Sequence, residues 1–468
     1  MTIDRRSFIA ASAAATLAAP ALRATSAMAQ SQALVPGEVD VIIVGAGAAG
    51  IAAARRVIAA GRKFAMIEGS DHIGGRCVTE TKTFGVPFDR GAHWIHMPDL
   101  NPVVKQAGAV GVDIYSAPPG QKVRIGRRYA REGEMEDYLA TQVRAHRAID
   151  EAARKGDISC AQALPKDLGE WQKTIEFALG PLSCGKDLNE VSALDFSRSR
   201  ERDIDAFCRI GYGAMLAKLA EKIPVQLNAP ATRIGWGLRT GVDVETPRGT
   251  VSGRTAVITV STNMLTSGKI RFTPDLPRRQ LDAASKLSLG SYDHIMLELP
   301  GNPLALQRDD LLVEKADSNK TAGVLANVGG STLCMVDVAG RFGRELSAQG
   351  EKAMVTFALE WLGNLYGTNL KNAVRRTAVT RWNEDPWSLG AFSAAAPGSQ
   401  SARRTMIEAL NNRVWFAGEA AHETLWGTVG GAWESGERAA TEALKSIGAL
   451  KPVAEEKPVP QQQRKRRS

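Results

Sequence analysis

Three glycines and one carboxylate carry the first recognisable chemistry in this chain. Gly45, Gly47 and Gly50 stand in GxGxxG spacing directly after the apolar run Val39 to Val44, and an alanine-rich stretch reaching Ala60 follows. The apolar run suits a buried parallel strand, and the alanines suit a helix. Gly45 permits a tight turn, Gly47 lets the backbone approach a pyrophosphate, and Gly50 lets helix and strand pack closely. The helix start offers unpaired N–H groups and a positive dipole end to phosphate. A second strand, Phe64 to Ile67, leads into Glu68. A carboxylate about 20 residues after the glycines accepts hydrogen bonds from ribose hydroxyls and repels a 2′-phosphate. The arrangement predicts a βαβ unit for an unphosphorylated, ADP-containing dinucleotide, and taken alone it fits NAD as well as FAD.

The remainder of the chain limits what this unit can belong to. Its 468 residues exceed one ordinary core, so two or three domains are expected, and 44% apolar content marks a globular protein. Residues 1–29 read as a twin-arginine export signal: Arg5-Arg6-Ser7-Phe8-Ile9, an apolar run to Leu22, and Ala27-Met28-Ala29 as a cleavage site. That run is short and alanine-rich for a membrane anchor. The expectation is a soluble holoprotein of a bacterial periplasm, exported folded, without stable membrane insertion. The net charge of +9 includes +2 from residues 1–29 and +4 from 451–468, which leaves about +3 on the body. A body so nearly balanced carries no electrostatic case for nucleic acid. The tail, rich in Pro, Gln and charge, is expected to be disordered.

Metal and thiol chemistry find little support. Cys77, Cys160, Cys184, Cys208 and Cys334 are widely spaced, with no CxxC or Cys/His metal spacing. Buried free thiols are expected, with a Cys160 to Cys184 bridge as the alternative after export. His93 and His96 lie three apart in HWIH with no acid to complete a site, so no metal centre is expected.

The elements that must position the glycines and Glu68 are scattered along the chain. After Glu68 come a loop closed by Gly74-Gly75-Arg76, a hairpin through Phe84 to Asp89, and Gly91-Ala92-His93-Trp94-Ile95-His96. A charged, amphipathic region from Asn101 to about Ile210 predicts helices, among them Glu134 to Lys155. A short helix, Ala214 to Lys222, precedes strand candidates Val225 to Leu227, Ala231 to Trp236, Val242 to Glu245 and Thr255 to Val260. A second block holds strands Tyr292 to Leu299, Leu333 to Val338 and Val374 to Arg381, and a helix Ala348 to Leu365. The last block is a strand ending in Gly418-Glu419, then a helix from Gly430 to Ile447. One βαβ unit lacks the strands a dinucleotide fold needs, so that domain is expected to be discontinuous. The fold class is α/β within an α+β whole: a Rossmann-like nucleotide domain at 36–97, 211–273 and 407–450, and a substrate domain of mixed sheet and helices at 98–210 and 274–406.

The nucleotide unit, the GGR loop, FDRGAHWIH, TAVITVSTNMLTSGKIRFTPDLP, NEDPWSLGAFSAAAPG and VWFAGEAAHETLWGTVGGAWESGERAA occur in the order seen in flavin-containing amine oxidases. The chain resembles that family of monoamine and polyamine oxidases over most of residues 38 to 447, most densely at the two ends and thinly between about 101 and 210. GAHWIH is most similar to the polyamine branch. The resemblance implies non-covalent FAD. Gly45, Gly47, Ala48, Ala49 and Gly50 would lie at the pyrophosphate, Glu68 at the adenosine ribose, and Gly75 and Arg76 near the phosphates. Gly91, Ala92, His93 and Trp94 would lie by the flavin, and Ala231, Gly418, Glu419, Thr428 and Val429 would complete the cradle. It also implies hydride transfer from an amine to flavin N5, with an imine that hydrolyses, and oxygen or a periplasmic electron acceptor as oxidant.

Three positions depart from the family. His294 stands where the family has a lysine that holds a water, and an imidazole can hold one too. Of the two aromatic walls around the amine, Phe392 matches one and the other falls on Thr428, with Trp426 or Trp387 as replacements. Ala391 stands where covalent members carry a cysteine. His294, Phe392, Trp426 and Thr428 are therefore the expected catalytic set. Other readings are an amino-acid oxidase, a desaturase of the same superfamily, or a flavoprotein that only transfers electrons.

Overall fold

Val39–Val44 is apolar at every position but Asp40 and is buried almost throughout, because both of its edges and both of its faces are covered. It pairs in parallel with Phe64–Ile67 on one side and with the end of Gly249–Ile258 on the other. Val414–Phe416 adds a further parallel neighbour to Gly249–Ile258. The computed structural model describes residues 38–199, 204–367 and 370–450. Among these, the sheet counts seven strands, with Val242–Thr246, Arg233–Gly235 and Arg271–Thr273 extending it. The predicted discontinuity is visible here: strands from three distant stretches of the chain share one sheet. The signal and tail readings lie outside the described residues.

The predicted helix after the glycines spans Ala48–Ala59 and buries Ala48 to Ala54 and Val57. It packs along the last long helix, Val429–Ser446. Small residues permit that approach: a Cβ at Gly436 would lie 2.0 Å from the Ala49 carbonyl oxygen. Both helices thus start at the same end of the parallel sheet.

A second seven-stranded sheet runs Thr377–Val379, Tyr292–Glu298, Leu333–Ala339, Gly323–Ala326, Asp310–Glu314, Lys122–Ile125 and Arg128–Tyr129. It is antiparallel except where Asp310–Glu314 meets Lys122–Ile125. The register sets His294 directly opposite Asp337, and Asp337 opposite Gly323. The amphipathic region forms the helix Glu132–Ala153, at whose start the Glu134 carboxylate accepts from the Arg131 N–H at 2.8 Å. The predicted hairpin forms with Thr79–Glu80 against Phe88–Asp89. The helix predicted over Ala348 to Leu365 forms as Glu351–Tyr366, starting after Gly350 at φ +93°, and a further helix, Gly340–Ala348, precedes it. Val225 to Leu227 forms no strand but one bridge, Gln226 to Ile67. All five cysteines are buried, and among the described residues none forms a disulfide, Cys160 and Cys184 included.

Candidate active site

A cavity of about 580 Å³ draws its lining from both large sheets and has two chemically distinct ends. This is within the usual size of a ligand site. At the first end lie Gly45, Gly47, Ala48, Ala49, Glu68, Gly75, Arg76 and Ala231. Glu68 is aimed by its own backbone surroundings: the Ala46 N–H donates to Oε2 at 2.7 Å and the Ser70 N–H to Oε1 at 2.9 Å. The glycines divide by cause. A Cβ at Gly50 would sit 2.0 Å from the Gly45 carbonyl oxygen, so Gly50 serves packing and does not reach the cavity. A Cβ at Gly47 would meet nothing closer than the Gly74 oxygen at 3.8 Å, and φ at Gly47 is an ordinary −76°. Neither packing nor strain calls for glycine there; a ligand backbone lying against it does. The residues present therefore fit a bound dinucleotide.

The chain's distant end closes this cradle. Arg76 donates from Nη1 to Glu419 Oε1 at 3.0 Å and to the Ala391 carbonyl at 2.5 Å. Glu419 is buried and also accepts from the Gly427 N–H, the Ser393 N–H and the Ser393 hydroxyl. Thr428 caps the last helix, accepting from the Gly431 N–H at 2.9 Å. The unpaired N–H groups and positive dipole end of that helix, beginning at Val429, adjoin the cavity, where they favour negative charge. Gly91, Ala92, His93, Trp94 and Gly418 complete the lining.

The second end is aromatic. Phe392 lies with its ring centroid 5.9 Å from that of Tyr292. Its backbone is tied by the Gly290 N–H to the Phe392 carbonyl at 2.8 Å. Lys186 steadies the same loop, donating to the Ala394 carbonyl and to Ser288; burial holds its pKa down at about 8. Glycine is required beside the ring: Gly185 and Gly427 both take positive φ, and a Cβ on either would lie within 3.4 Å of Phe392. Tyr292 has no counterpart in the sequence reading, although it sits two residues before His294 and so on the same strand face.

Trp426 corrects that reading. It is 1% exposed, does not line the cavity, and donates from Nε1 to the Asp195 carbonyl with the Arg403 guanidinium 4.8 Å from its ring. The aromatic ring beside Phe392 in the cavity lining is Tyr292. Trp387 does line the cavity, but at the nucleotide end, where its ring packs against Gly69 beside Glu68.

His294 also differs from expectation. It lines the cavity, yet both ring nitrogens have protein partners: Nδ1 lies 2.6 Å from Asp337 Oδ1, and Nε2 lies 2.9 Å from the Gly91 carbonyl oxygen. No ring N–H is left over for a water in this arrangement. Burial works against charge on the ring, but the Asp337 carboxylate and both hydrogen bonds outweigh it and raise the pKa above the ordinary histidine value.

A cavity at the ends of the parallel strands, shared with a second sheet, fits a dinucleotide-dependent oxidoreductase. The family described as "Flavin containing amine oxidoreductase" matches residues 48–444. The chain belongs to that family; it is an FAD-dependent oxidoreductase acting on amines. Among curated relatives, Polyamine oxidase 4 of Oryza sativa subsp. japonica is 26% identical over 441 residues, which cover 87% of this chain and 89% of the relative. Lysine-specific histone demethylase 2 of Homo sapiens is 27% identical, covering 86% of this chain but only 53% of that longer protein. The fold is shared with a putrescine oxidase bound to putrescine (TM-score 0.74, 19% identity, 87% of this chain and 99% of that one). It is shared equally with a cyclohexylamine oxidase from Brevibacterium oxydans (TM-score 0.74, 21% identity, 88% and 100%).

Proposed function

We propose that this chain oxidises the C–N bond of a primary or secondary amine, polyamines included, and that the resulting imine hydrolyses to a carbonyl product. The observation that carries this reading is the aromatic pair Phe392 and Tyr292 at the end of the cavity away from the nucleotide cradle. Aromatic faces attract a cationic amine and pack its apolar carbons. FAD, when bound, would supply the two-electron acceptor for the amine. The protein's part is to orient the amine against Phe392 and Tyr292 and to exclude water from it. Glu68 would hold the adenosine ribose, and Gly45, Gly47, Ala48, Ala49, Gly75 and Arg76 would hold the phosphates. Glu419 would hold the ribityl region, and the helix start at Thr428 and Val429 would favour negative charge beside it. Ala391 has no thiol, so no thioether forms there.

An amino-acid oxidase needs a cation for the substrate carboxylate. Among the described residues, the cavity is lined by one arginine, Arg76, engaged by Glu419 and Ala391, and one lysine, Lys269, whose Nζ donates to the Pro386 carbonyl. This favours an amine without a carboxylate. We further propose that the first sheet and its helices form the nucleotide domain, that the second forms the substrate domain, and that residues 1–29 direct folded export to a periplasm.

The test is a product assay of the purified protein with mono-, di- and polyamines, run separately in air and with an artificial electron acceptor. Carbonyl product and ammonia or shortened amine are expected from at least one class, and the two oxidant conditions separate oxidase from dehydrogenase. No product from any class overturns the reading. Export is tested by Arg5→Lys combined with Arg6→Lys, which should retain the protein in the cytoplasm; undiminished periplasmic protein would contradict it.

A further inference from the structure

Hydrogen-bond accounting around His294 leads beyond its expected role. The Gly91 carbonyl can only accept, so Nε2 carries a proton. On the other side one proton lies between Nδ1 and Asp337 Oδ1. The Asp337 carboxylate favours the charged ring and so holds this proton on nitrogen. Tyr292 reinforces this by donating its hydroxyl to Asp337 Oδ2 at 2.9 Å, which stabilises the carboxylate. Burial and the adjacent Asp337 charge raise the Tyr292 pKa well above its usual value, so it remains a donor.

What the ring holds is equally informative. Gly91 is pressed between two neighbours: a Cβ there would lie 2.1 Å from the Arg76 carbonyl oxygen and 2.9 Å from the Trp382 ring. The Ala92 N–H donates to the Arg76 carbonyl at 3.0 Å, and Trp382 Nε1 donates to the Arg90 carbonyl at 3.0 Å. Arg90 to Ala92 is thus fixed to the nucleotide side through Arg76 and to the second sheet through Trp382 and His294. Ala92, His93 and Trp94, which line the cavity, follow directly.

We propose that His294 is a positioning residue held as an imidazolium between Asp337 and the Gly91 carbonyl, fixing the Gly91–Trp94 segment against the second sheet instead of holding a water. The groups facing it are Asp337 from the neighbouring strand, Tyr292 and Asp293 from its own, and the Gly91 carbonyl from the nucleotide side. Burial raises the Asp293 pKa, and Asp337 is the carboxylate in direct contact with the ring. Because the folded pKa of His294 lies above the unfolded one, its proton contributes stability fully below about pH 6.5 and loses that contribution as pH rises through the folded value.

The effect on catalysis rests on the proposed amine chemistry, whereas the protonation state does not. The test is 15N NMR of the flavin-loaded protein labelled at histidine. His294, assigned by its loss in His294→Gln, should show a directly bonded proton on both ring nitrogens at pH 7, with no titration between pH 6 and 7. In Asp337→Asn burial still disfavours the charged ring and the carboxylate no longer opposes it, so the ring pKa should fall below the wild-type one. Anaerobic flavin reduction by amine should then fall on the order of 10–100-fold and acquire the same ionisation. A singly protonated His294 at pH 7 in the wild-type protein overturns the proposal even where amines reduce the flavin. Should no amine reduce the flavin, the amine reading fails while the NMR result stands. An Asp337→Asn rate that falls without a new ionisation also overturns the positioning role, since general loosening of the fold would move stability and not the pH profile.

Discussion

Gly47 and Gly50 are the same residue type three positions apart, yet they answer to different neighbours. Gly50 is demanded by the Gly45 carbonyl, and Gly47 by space that the protein itself leaves open. Gly50→Ala should therefore destabilise the fold by about 1–3 kcal/mol through overpacking, read as a lower melting midpoint. Gly47→Val should leave the circular dichroism spectrum intact and weaken flavin retention by about tenfold or more. Equal flavin content in Gly47→Val and wild type would contradict the cradle. At the other end, Phe392→Ala removes one aromatic face, and a loss of about 0.5–2 kcal/mol should lower kcat/KM for amines several-fold while flavin content is unchanged. The glycine and Glu68 chemistry was legible because it resides in consecutive residues whose spacing dictates their geometry. The aromatic pair was not. Trp426 is two residues from Thr428, but the intervening Gly427 at φ +70° turns it away to Asp195 and Arg403. Tyr292 becomes visible only once the strand face is known.

Among the elements, the last helix links cofactor and core. Its start at Thr428 and Val429 meets the cavity, while Gly436 lets its body lie against Ala48–Ala59. Thr428→Ala should cost about 1 kcal/mol as a lost cap. Gly436→Leu should cost more, because the Ala49 carbonyl cannot yield without moving the helix that presents phosphate N–H groups. Chemical denaturation checks the first effect; flavin content alongside it checks the second, with flavin loss expected for Gly436→Leu. Most helices and strands were legible from periodicity, since their apolar faces are long enough to state a period. Glu351–Tyr366 starts three residues after its predicted start, where Gly350 takes φ +93°. The pairing of His294 with Asp337 was beyond sequence reading, because it depends on the register of two strands 43 residues apart.

For the molecule as a whole, the amphipathic region is coupled to the cofactor cradle by one fully buried ion pair. Arg403 makes two bonds to Asp195, at 2.6 and 2.7 Å, and also reaches Ser393 and the Ala420 carbonyl; Ser393 in turn donates to Glu419. Breaking such a pair from one side strands a buried charge, so Arg403→Met should destabilise the protein by about 3–5 kcal/mol. The double variant Asp195→Leu, Arg403→Met should recover part of that loss. A double variant no more stable than Arg403→Met would contradict the stranded-charge account. The central claim remains that this cavity brings an amine to a flavin. Its most direct measurement is the visible spectrum of the flavin-loaded protein, mixed without oxygen with a panel of mono-, di- and polyamines. The account predicts loss of the oxidised flavin absorbance with at least one amine, in a wild-type protein and more slowly in Phe392→Ala; an oxidised spectrum unchanged across the whole panel would contradict it.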